Sequence, residues 1–242
     1  MCGHGYYYMS MSYNRANLWF LPFFFILLSG CNDGGEPVTA QIHQGEHNTE
    51  KKNPFRILIL GDSLTEGYGI SPDQAYPTLL EKKLNKDLEP GQRPYVVING
   101  GVTGSTTSGG ASRMDWHMKS PPDYLIVALG GNDGLRGIPP QESKQNLRKI
   151  ISQAQAKKVP VMLAGMKLPP NYGPKHLKQF ESMFAELSEE MEVPLLPFLL
   201  KGVGGNPKMN LPDRVHPNPA GHKIICETMH HHLIKHLPKN KS

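Results

Sequence analysis

Five short apolar runs recur along the chain, and each ends at or beside a glycine, asparagine or proline. They occupy residues 57–60, 95–98, 124–129, 161–164 and 193–196. The residues within a run are apolar continuously rather than at alternate positions, which is typical of strands buried on both faces of a parallel sheet. The pattern therefore predicts five buried parallel strands.

The segments between these runs carry apolar residues at helical spacing. The stripes are Tyr76, Leu79, Leu80, Leu84 and Leu88; Leu147, Ile150, Ile151 and Ala154; Leu177, Phe180, Met183, Phe184 and Leu187; and, in a last helix beginning near Pro219, Ile224, Ile225, Thr228, Met229 and Leu233. Regular alternation of strands and helices predicts one α/β domain over residues 55–238. Its expected architecture is a three-layer α/β/α sandwich with right-handed crossovers.

The N-terminal residues have a different pattern. An apolar run of 11 residues, 18–28, follows Arg15 and is too short to span a bilayer, which is typical of a signal-peptide core. Residues 28–31, Leu-Ser-Gly-Cys, resemble the lipobox of bacterial lipoproteins, in which the cysteine is lipidated and becomes the new N-terminus. The alternatives are an ordinary cleaved signal and a stray apolar run without a targeting role. The start of translation stays open between Met1, Met9 and Met11.

The lipobox resemblance implies a lipoprotein-type signal peptide over residues 1–30 and a lipid anchor at Cys31. Residues 31–54 are polar and lack periodicity, so we expect a tether. A flexible chain of about 22 residues reaches roughly 25 Å, which would hold the domain just off a membrane. These features predict a periplasm-facing lipoprotein of the bacterial cell envelope, with the inner or outer membrane left open.

Composition narrows the range of partners. The formal net charge is +5, from 26 basic and 21 acidic residues, and the basic residues are scattered, which argues against nucleic acid. The three cysteines, Cys2, Cys31 and Cys226, have no zinc-site spacing. The histidines at 230, 231, 232 and 236 lack an accompanying carboxylate or cysteine. We therefore expect no metal and no cofactor.

Four polar motifs stand where predicted strands end or just before the last helix. Residues 61–65 read Gly-Asp-Ser-Leu-Thr, residues 100–105 Gly-Gly-Val-Thr-Gly-Ser, residues 130–134 Gly-Gly-Asn-Asp-Gly, and residues 213–217 Asp-Arg-Val-His-Pro. Open α/β sheets bind ligands at the carboxyl ends of their strands. Together the motifs supply a hydroxyl nucleophile, donors for an oxyanion, a base and a carboxylate to orient that base.

Each motif also has a plainer interpretation. Ser63 alone is equally well a helix N-cap, and Asp62 and Asp133 are interpreted as turn and N-cap groups rather than catalytic carboxylates. Thr65 breaks the Gly-x-Ser-x-Gly pattern of the α/β-hydrolase elbow. Glu66 breaks the phosphate-binding Walker pattern. His222 is interpreted as a helix residue.

Taken in order, the four motifs resemble those of the SGNH, or Gly-Asp-Ser-Leu, hydrolase family, from about Phe55 to the last helix. Residues 130–137, 168–173 and 216–222 are most similar to bacterial arylesterase, thioesterase and lysophospholipase members. The resemblance implies a flavodoxin-like five-stranded parallel sheet of order 2-1-3-4-5, the SGNH hydrolase fold. The pairs at 65–66 and 100–101 depart from the family pattern, which leaves substrate preference open.

The resemblance also implies the site residues. They are the triad Ser63, Asp213 and His216, and the oxyanion donors Ser63, Gly104 and Asn132. The loop after the fourth strand, with Leu168, Pro170 and Tyr172, is expected to border the acyl pocket. In the implied order the fifth strand lies about 14 Å from the first. The connection over residues 199–216 is long enough for His216 to cross that gap to Ser63.

The activity implied is that of a serine hydrolase which cleaves esters or thioesters of acyl chains, including lysophospholipids, through an acyl-enzyme. A carbohydrate or peptidoglycan O-acetyl esterase would use the same triad with another pocket. A tethered binding lipoprotein with an inactive site is the non-enzyme alternative. We expect a monomer whose partners are its small-molecule substrate and, through Cys31, a membrane.

Overall fold

The computed structural model describes residues 53–86 and 88–240. The predicted signal peptide over 1–30, the lipidation site Cys31 and the tether up to residue 52 lie outside the described residues. None of the helices in the described ranges is long and apolar enough to cross a membrane.

Five parallel strands form one sheet. They are β1 (Phe55–Gly61), β2 (Tyr95–Gly101), β3 (Tyr124–Ala128), β4 (Val161–Ala164) and β5 (Leu195–Leu196). Their spatial order is β2-β1-β3-β4-β5, which confirms the predicted topology. In the middle of the sheet Ile57 pairs with Val97 on one side and with Tyr124 on the other.

Burial differs between the centre and the edges of the sheet. Strands β3 and β4 are buried throughout, and in β1 only Arg56 is partly exposed, as the continuous apolar runs predict. The prediction is wrong for β2, which is largely half-buried, with Val96 38% exposed. The reason is position, because β2 pairs only with β1 and forms an edge of the sheet.

The fifth strand is shorter than the predicted run 193–196. The N–H of Val193 donates to the carbonyl of Ser188 at 3.1 Å, so Val193 belongs to the exit turn of the preceding helix. Pro194 has no N–H for the ladder, although its carbonyl accepts from Leu163 at 2.9 Å. Only Leu195 and Leu196 are left to form β5.

The described residues form seven α-helices, six of them between strands and the last after β5. They are α1 (Ser63–Glu66), α2 (Tyr76–Lys86), α3 (Thr107–His117), α4 (Gly131–Leu135), α5 (Pro140–Ala156), α6 (Pro174–Glu190) and α7 (Pro219–Leu233). Helix α2 packs against α7, and α5 packs against both α3 and α6, so two helical groups flank the sheet as predicted. The predicted apolar stripe of α2 is too long at its C-terminal end, because the helix ends at Lys86 and does not include Leu88.

The predicted faces of the long helices are otherwise confirmed. In α5 the side chains of Leu147, Ile150, Ile151 and Ala154 are fully buried, and α7 begins at Pro219 with Asn218 as its N-cap. The Asn218 side chain accepts from the N–H of Gly221 at 3.0 Å. The short helices α1 and α4 start inside the Gly-Asp-Ser and Gly-Gly-Asn motifs, directly after β1 and β3.

Candidate active site

The turn from β1 into α1 carries Ser63. Asp62 is the N-cap of α1, and its side chain accepts from the N–H of Leu64 at 3.0 Å, which confirms its predicted capping role. Ser63 is therefore the first residue of the helix and lies beyond the carboxyl end of a central strand. Its side chain is largely buried but remains accessible from one side, with 7% of the residue exposed.

His216 lies against Ser63. Nε2 of His216 is 3.0 Å from Oγ of Ser63, and Nδ1 is 2.8 Å from Oδ2 of Asp213. Because a carboxylate only accepts, Nδ1 carries the ring proton of the neutral imidazole and Nε2 is left to accept from the Ser63 hydroxyl. The three side chains thus form one continuous chain of hydrogen bonds.

A tight turn over residues 211–216 sets the Asp213–His216 pair. Oδ1 of Asp213 accepts from the N–H groups of Val215 and His216, each at 2.9 Å, while Oδ2 contacts the imidazole. These hydrogen bonds, those with His216 first, lower the pKa of the Asp213 carboxyl to about 2. The two ends of the turn are joined by a backbone hydrogen bond, in which the N–H of Leu211 donates to the carbonyl of His216 at 2.7 Å. The carboxylate thus stays ionised and orients the ring.

Two further segments, the loop after β2 and the start of α4, also carry candidate site residues. The loop after β2 carries Gly104 with φ +74°, in the left-handed region that suits glycine. After β3, Nδ2 of Asn132 donates to the carbonyl of Ser105 at 3.1 Å and lies 3.4 Å from Oδ2 of Asp62. Among the residues that the structure describes, no acceptor is found for the backbone N–H of Ser63 or of Gly104. The two amides are free to bind a ligand oxygen.

Known proteins share this arrangement of motifs. The family model described as the GDSL-like lipase/acylhydrolase family matches residues 59–224, well over half of the chain. The chain belongs to this family. Its SGNH hydrolase fold is the one predicted from the motifs.

Two curated relatives and one solved structure illustrate the likeness of this GDSL hydrolase. It is 37% identical over 183 residues to an arylesterase of Vibrio mimicus, covering 75% of this chain and 90% of the relative. It is 33% identical over 220 residues to thioesterase 1/protease 1/lysophospholipase L1 of Escherichia coli K12, covering 90% and 94%. The crystal structure of AlinE4, an SGNH-hydrolase family esterase, matches with a TM-score of 0.63 and 37% identity, covering 77% and 98%.

Asp62 of the GDSL hydrolase has an unusual environment. Burial raises the pKa of its carboxyl to about 6, against the opposing effects of the Leu64 N–H and of the nearby His216. Its Oδ1 caps α1, and its Oδ2 faces the Asn132 amide. The residue therefore links α1, which carries Ser63, to α4, which carries Asn132.

The other rival groups lie away from Ser63. The interpretation of Asp133 as a local turn group is wrong, because its buried carboxylate accepts from N–H and Oγ1 of Thr107, at 2.9 and 2.5 Å, and from Oγ of Ser143 at 3.1 Å. It joins α4 to α3 and α5. His222 lies in α7 as predicted, where Nδ1 accepts from the N–H of Tyr76 at 3.1 Å. Burial lowers the pKa of His222 to about 4.

Tyr68 is a site residue that the sequence interpretation missed. Its ring centroid lies 4.5 Å from that of His216 at a tilt of 39°, and 49% of the residue is exposed. The exposed Tyr68 ring thus packs against the imidazole. The available signal was an aromatic residue five positions after Ser63, in a glycine-rich loop where burial in a core is not expected.

The loop after β4 has the three residues expected to border the acyl pocket. Tyr172 donates its hydroxyl to the carbonyl of Leu135 at 3.0 Å, which ties this loop to the end of α4. Leu168 is buried and packs close to Gly134 of the same helix, whereas Pro170 is exposed. The loop therefore supports α4, and its contact with substrate stays a prediction.

No metal-ligating cluster of three or more histidine, cysteine or acidic side chains occurs within residues 53–86 and 88–240. The histidines near the C-terminal end of α7 have protein partners instead. Nδ1 of His232 lies 3.0 Å from the carbonyl of Thr228, and Nε2 of His231 lies 2.9 Å from Nζ of Lys235.

Proposed function

We propose that this GDSL hydrolase cleaves carboxylic esters or thioesters of acyl chains through a covalent acyl-enzyme. The observation that carries the proposal is the continuous hydrogen-bond chain from Ser63 through His216 to Asp213. A serine hydroxyl becomes an effective nucleophile when an adjacent base accepts its proton and a third group orients that base.

The reaction follows from the polarity of this chain. Oγ of Ser63 attacks the acyl carbonyl carbon while its proton passes to Nε2 of His216. Collapse of the tetrahedral intermediate breaks the bond to the leaving oxygen or sulfur, which takes that proton from His216. Water then attacks the acyl-Ser63 ester, again with His216 as base, and releases the carboxylic acid and the free hydroxyl. Asp213 stabilises the imidazolium in both halves.

The negative charge on the former carbonyl oxygen needs donors. We assign this task to the N–H groups of Ser63 and Gly104 and to the Nδ2 amide of Asn132. The support is their position in the segments that directly follow β1, β2 and β3, at the carboxyl ends of neighbouring strands, and the absence of acceptors for both N–H groups among the described residues. Donors fixed before reaction stabilise an oxyanion strongly, because they need no reorganisation. The two N–H groups meet this condition, whereas Nδ2 of Asn132 exchanges its 3.4 Å contact with Oδ2 of Asp62 for the oxyanion.

Apolar side chains around the site favour an acyl substrate. Four of the seven large apolar side chains that are exposed in the described ranges lie within five positions of a catalytic or oxyanion residue along the chain: Tyr68, Val102, Leu135 and Val215. Exposed apolar groups concentrated around one site are typical of an apolar ligand. The relatives named arylesterase and thioesterase/lysophospholipase agree with acyl chains, lysophospholipid included, over an acetylated glycan.

A fluorophosphonate probe and a substrate panel test the proposal together. Wild-type protein should be labelled on the peptide that contains Ser63 and should hydrolyse p-nitrophenyl esters and acyl-CoA thioesters of graded length. The Ser63→Ala variant should fold normally and lose both labelling and turnover. Labelling at another residue, or full activity of Ser63→Ala, would refute the mechanism. Activity confined to acetylated glycans would refute the acyl-chain specificity.

We also propose that the protein is anchored in the bacterial cell envelope through Cys31 and faces the periplasm. The support is the lipobox-like sequence Leu-Ser-Gly-Cys at residues 28–31 after the apolar run. Mass spectrometry of the mature N-terminus should find a diacylglyceryl-modified Cys31, and Cys31→Ser should release the protein from membranes. An unmodified Cys31 in mature protein would refute the anchor.

A further inference from the structure

We propose that Glu66 is a positioning residue that holds the Gly104 N–H in place for the oxyanion. This inference rests on the proposed function, since it concerns the same reaction. Glu66 is one of the two residues at which the sequence departs from the family pattern after the nucleophile. It is the last residue of α1, three positions after Ser63, and its side chain is exposed.

The Glu66 carboxylate is hydrogen-bonded to the loop that carries Gly104. Its Oε2 accepts from both the N–H and the Oγ1 of Thr103, each at 2.5 Å. A carboxylate that accepts two hydrogen bonds from one residue restrains both the backbone and the side chain of that residue. Thr103 immediately precedes Gly104, so the contact fixes the residue from which the peptide carrying the Gly104 N–H extends.

The backbone of α1 lies unusually close to the same segment. A methyl group added at Gly101 would lie 2.2 Å from the Glu66 backbone nitrogen, so only glycine permits this approach of β2 to α1. Nδ2 of Asn99 is 3.4 Å from the Glu66 carbonyl. Glu66 thus connects the helix that carries the nucleophile to the end of β2 and to the loop beyond it.

Gly104 needs such restraint, because glycine has the widest range of backbone conformations. The loop is held on its other side as well. Nη2 of Arg136 donates to the carbonyl of Gly104 at 3.0 Å, and Asn132 donates to the carbonyl of Ser105 at 3.1 Å. On the N-terminal side of Gly104, the loop is restrained by the hydrogen bonds from Thr103 to Glu66. Without it, the peptide between Thr103 and Gly104 can rotate and turn its N–H away from the oxyanion.

Glu81 offers a matched control. It is also a helix glutamate whose Oε2 accepts a backbone N–H of β2, that of Val97 at 2.8 Å. Its contact lies earlier in the strand and reaches no residue of the loop over 102–105. Removal of the Glu81 side chain therefore measures how much stability is lost with a carboxylate contact between a helix and β2, while the loop of Gly104 stays intact.

The experiment compares Glu66→Ala, Glu66→Gln and Glu81→Ala in kcat and KM for a p-nitrophenyl ester and in melting temperature. Glu66→Ala should lower kcat about 10- to 100-fold while KM changes less than about threefold, since the oxyanion forms only after binding. Glu66→Gln should recover most of the lost kcat, because its amide oxygen still accepts from Thr103. Glu81→Ala should lower the melting temperature but leave kcat within about twofold of wild type.

A kcat of Glu66→Ala within about twofold of wild type would overturn the positioning role. An equal fall in kcat for Glu81→Ala would also overturn it. A kcat of Glu66→Gln as low as that of Glu66→Ala would overturn it as well. Fluorophosphonate labelling of Ser63 keeps this result separate from the proposed function. Wild-type protein that labels and turns over, with Glu66→Ala unimpaired, rejects the role of Glu66 alone, whereas wild-type protein that does neither rejects the hydrolase mechanism.

Discussion

Nε2 of His216 lies 3.0 Å from Oγ of Ser63, although 153 positions of the chain separate the two residues. The parallel sheet makes this contact possible, because β1 ends at Gly61 and so places Ser63 at the carboxyl end of the sheet. The long connection between β5 and α7 brings His216 back across the carboxyl edge of the sheet. The contact joins the first and last motifs of the domain into one site.

Asp213→Asn should lower kcat by about three to four orders of magnitude with the fold intact. The asparagine oxygen can still accept from the Val215 and His216 N–H groups, so the turn survives. Its amide nitrogen then donates to Nδ1 of His216, which moves the ring proton to Nε2 and removes the acceptor for the Ser63 hydroxyl. Steady-state kinetics and circular dichroism measure the two effects.

The control for Asp213→Asn is Asp73→Asn, which makes the same change at an exposed aspartate in the short 3-10 helix Pro72–Gln74. Asp73→Asn should match wild type in kcat. Asp213→Asn with kcat close to wild type would show that the carboxylate does not orient the base.

Asn132→Ala should lower kcat about 100- to 1,000-fold, which corresponds to about 2.7 to 4 kcal/mol of transition-state stabilisation. KM should change much less, because the amide is expected to bind the oxyanion more strongly than the ground-state carbonyl. The measurement is kcat and KM on an ester that wild type turns over readily. An effect on KM alone would place Asn132 in ground-state binding instead.

Asp62→Asn should change how stability depends on pH. The pKa of Asp62 is raised to about 6 in the folded protein from an ordinary value of 3.8, so the folded state binds the proton more tightly. The stabilisation is present in full below pH 3.8 and is lost as pH rises through about 6. A shift of about two pKa units corresponds to about 3 kcal/mol.

Urea unfolding of wild type and Asp62→Asn from pH 4 to pH 7.5 measures this change. Wild type should lose about 2.4 kcal/mol of unfolding free energy relative to the variant over that range, because the neutral asparagine has no charge to bury. The loss is smaller than the full shift, since the carboxyl of the unfolded chain is already partly ionised at pH 4. Asparagine also remains a good N-cap for α1. Parallel pH profiles would contradict the raised pKa of Asp62.

Gly101→Ala should destabilise the domain and impair turnover together. The new methyl group would lie 2.2 Å from the backbone nitrogen and 2.7 Å from the Cα of Glu66, so α1 or β2 must move. Overpacking of this kind typically costs about 1 to 3 kcal/mol. Because α1 begins with Ser63, the shift should also reduce kcat; thermal unfolding and kinetics test both effects.

Gly109→Ala is the comparison for Gly101→Ala. A methyl group there approaches only the side chains of Ser105 and Thr106, the nearest atom being Oγ of Ser105 at 3.0 Å. Oγ of Ser105, which accepts from Nη2 of Arg113 at 3.1 Å, needs to move by only a few tenths of an ångström. Alanine is also the better helix former by about 0.5 to 1 kcal/mol. Gly109→Ala should therefore be neutral or stabilising. Equal stability of the two variants would argue against a tight α1–β2 contact.

Local pattern was sufficient for much of the fold. Strands β1, β3 and β4 were predictable because their residues are apolar without interruption, and α5 and α7 because their apolar faces repeat at helical spacing. The polar motifs at the strand ends identified the loops of the site. Their assignment to the carboxyl end of one sheet followed from their positions after predicted parallel strands, whereas the strand order was implied by resemblance to the family and is confirmed.

Contacts between distant segments were not predictable, because no local pattern records them. The sequence places Glu66 next to the serine motif, but only the fold brings its carboxylate to Thr103, and only the fold puts the ring of Tyr68 on His216. Asp133 was interpreted from the sequence as a turn residue beside Asn132, yet its carboxylate accepts hydrogen bonds from Thr107 of α3 and Ser143 of α5.

The same division explains the strands that differ from expectation. The sequence by itself determined which segments are apolar enough to enter a sheet and which residues carry the chemistry, since hydrophobicity and functional groups belong to residue types. The tertiary structure alone decided that β2 lies at an exposed edge and that β5 keeps only two residues. Burial and pairing depend on which neighbours the folded chain brings to a segment, and those neighbours come from far along the chain.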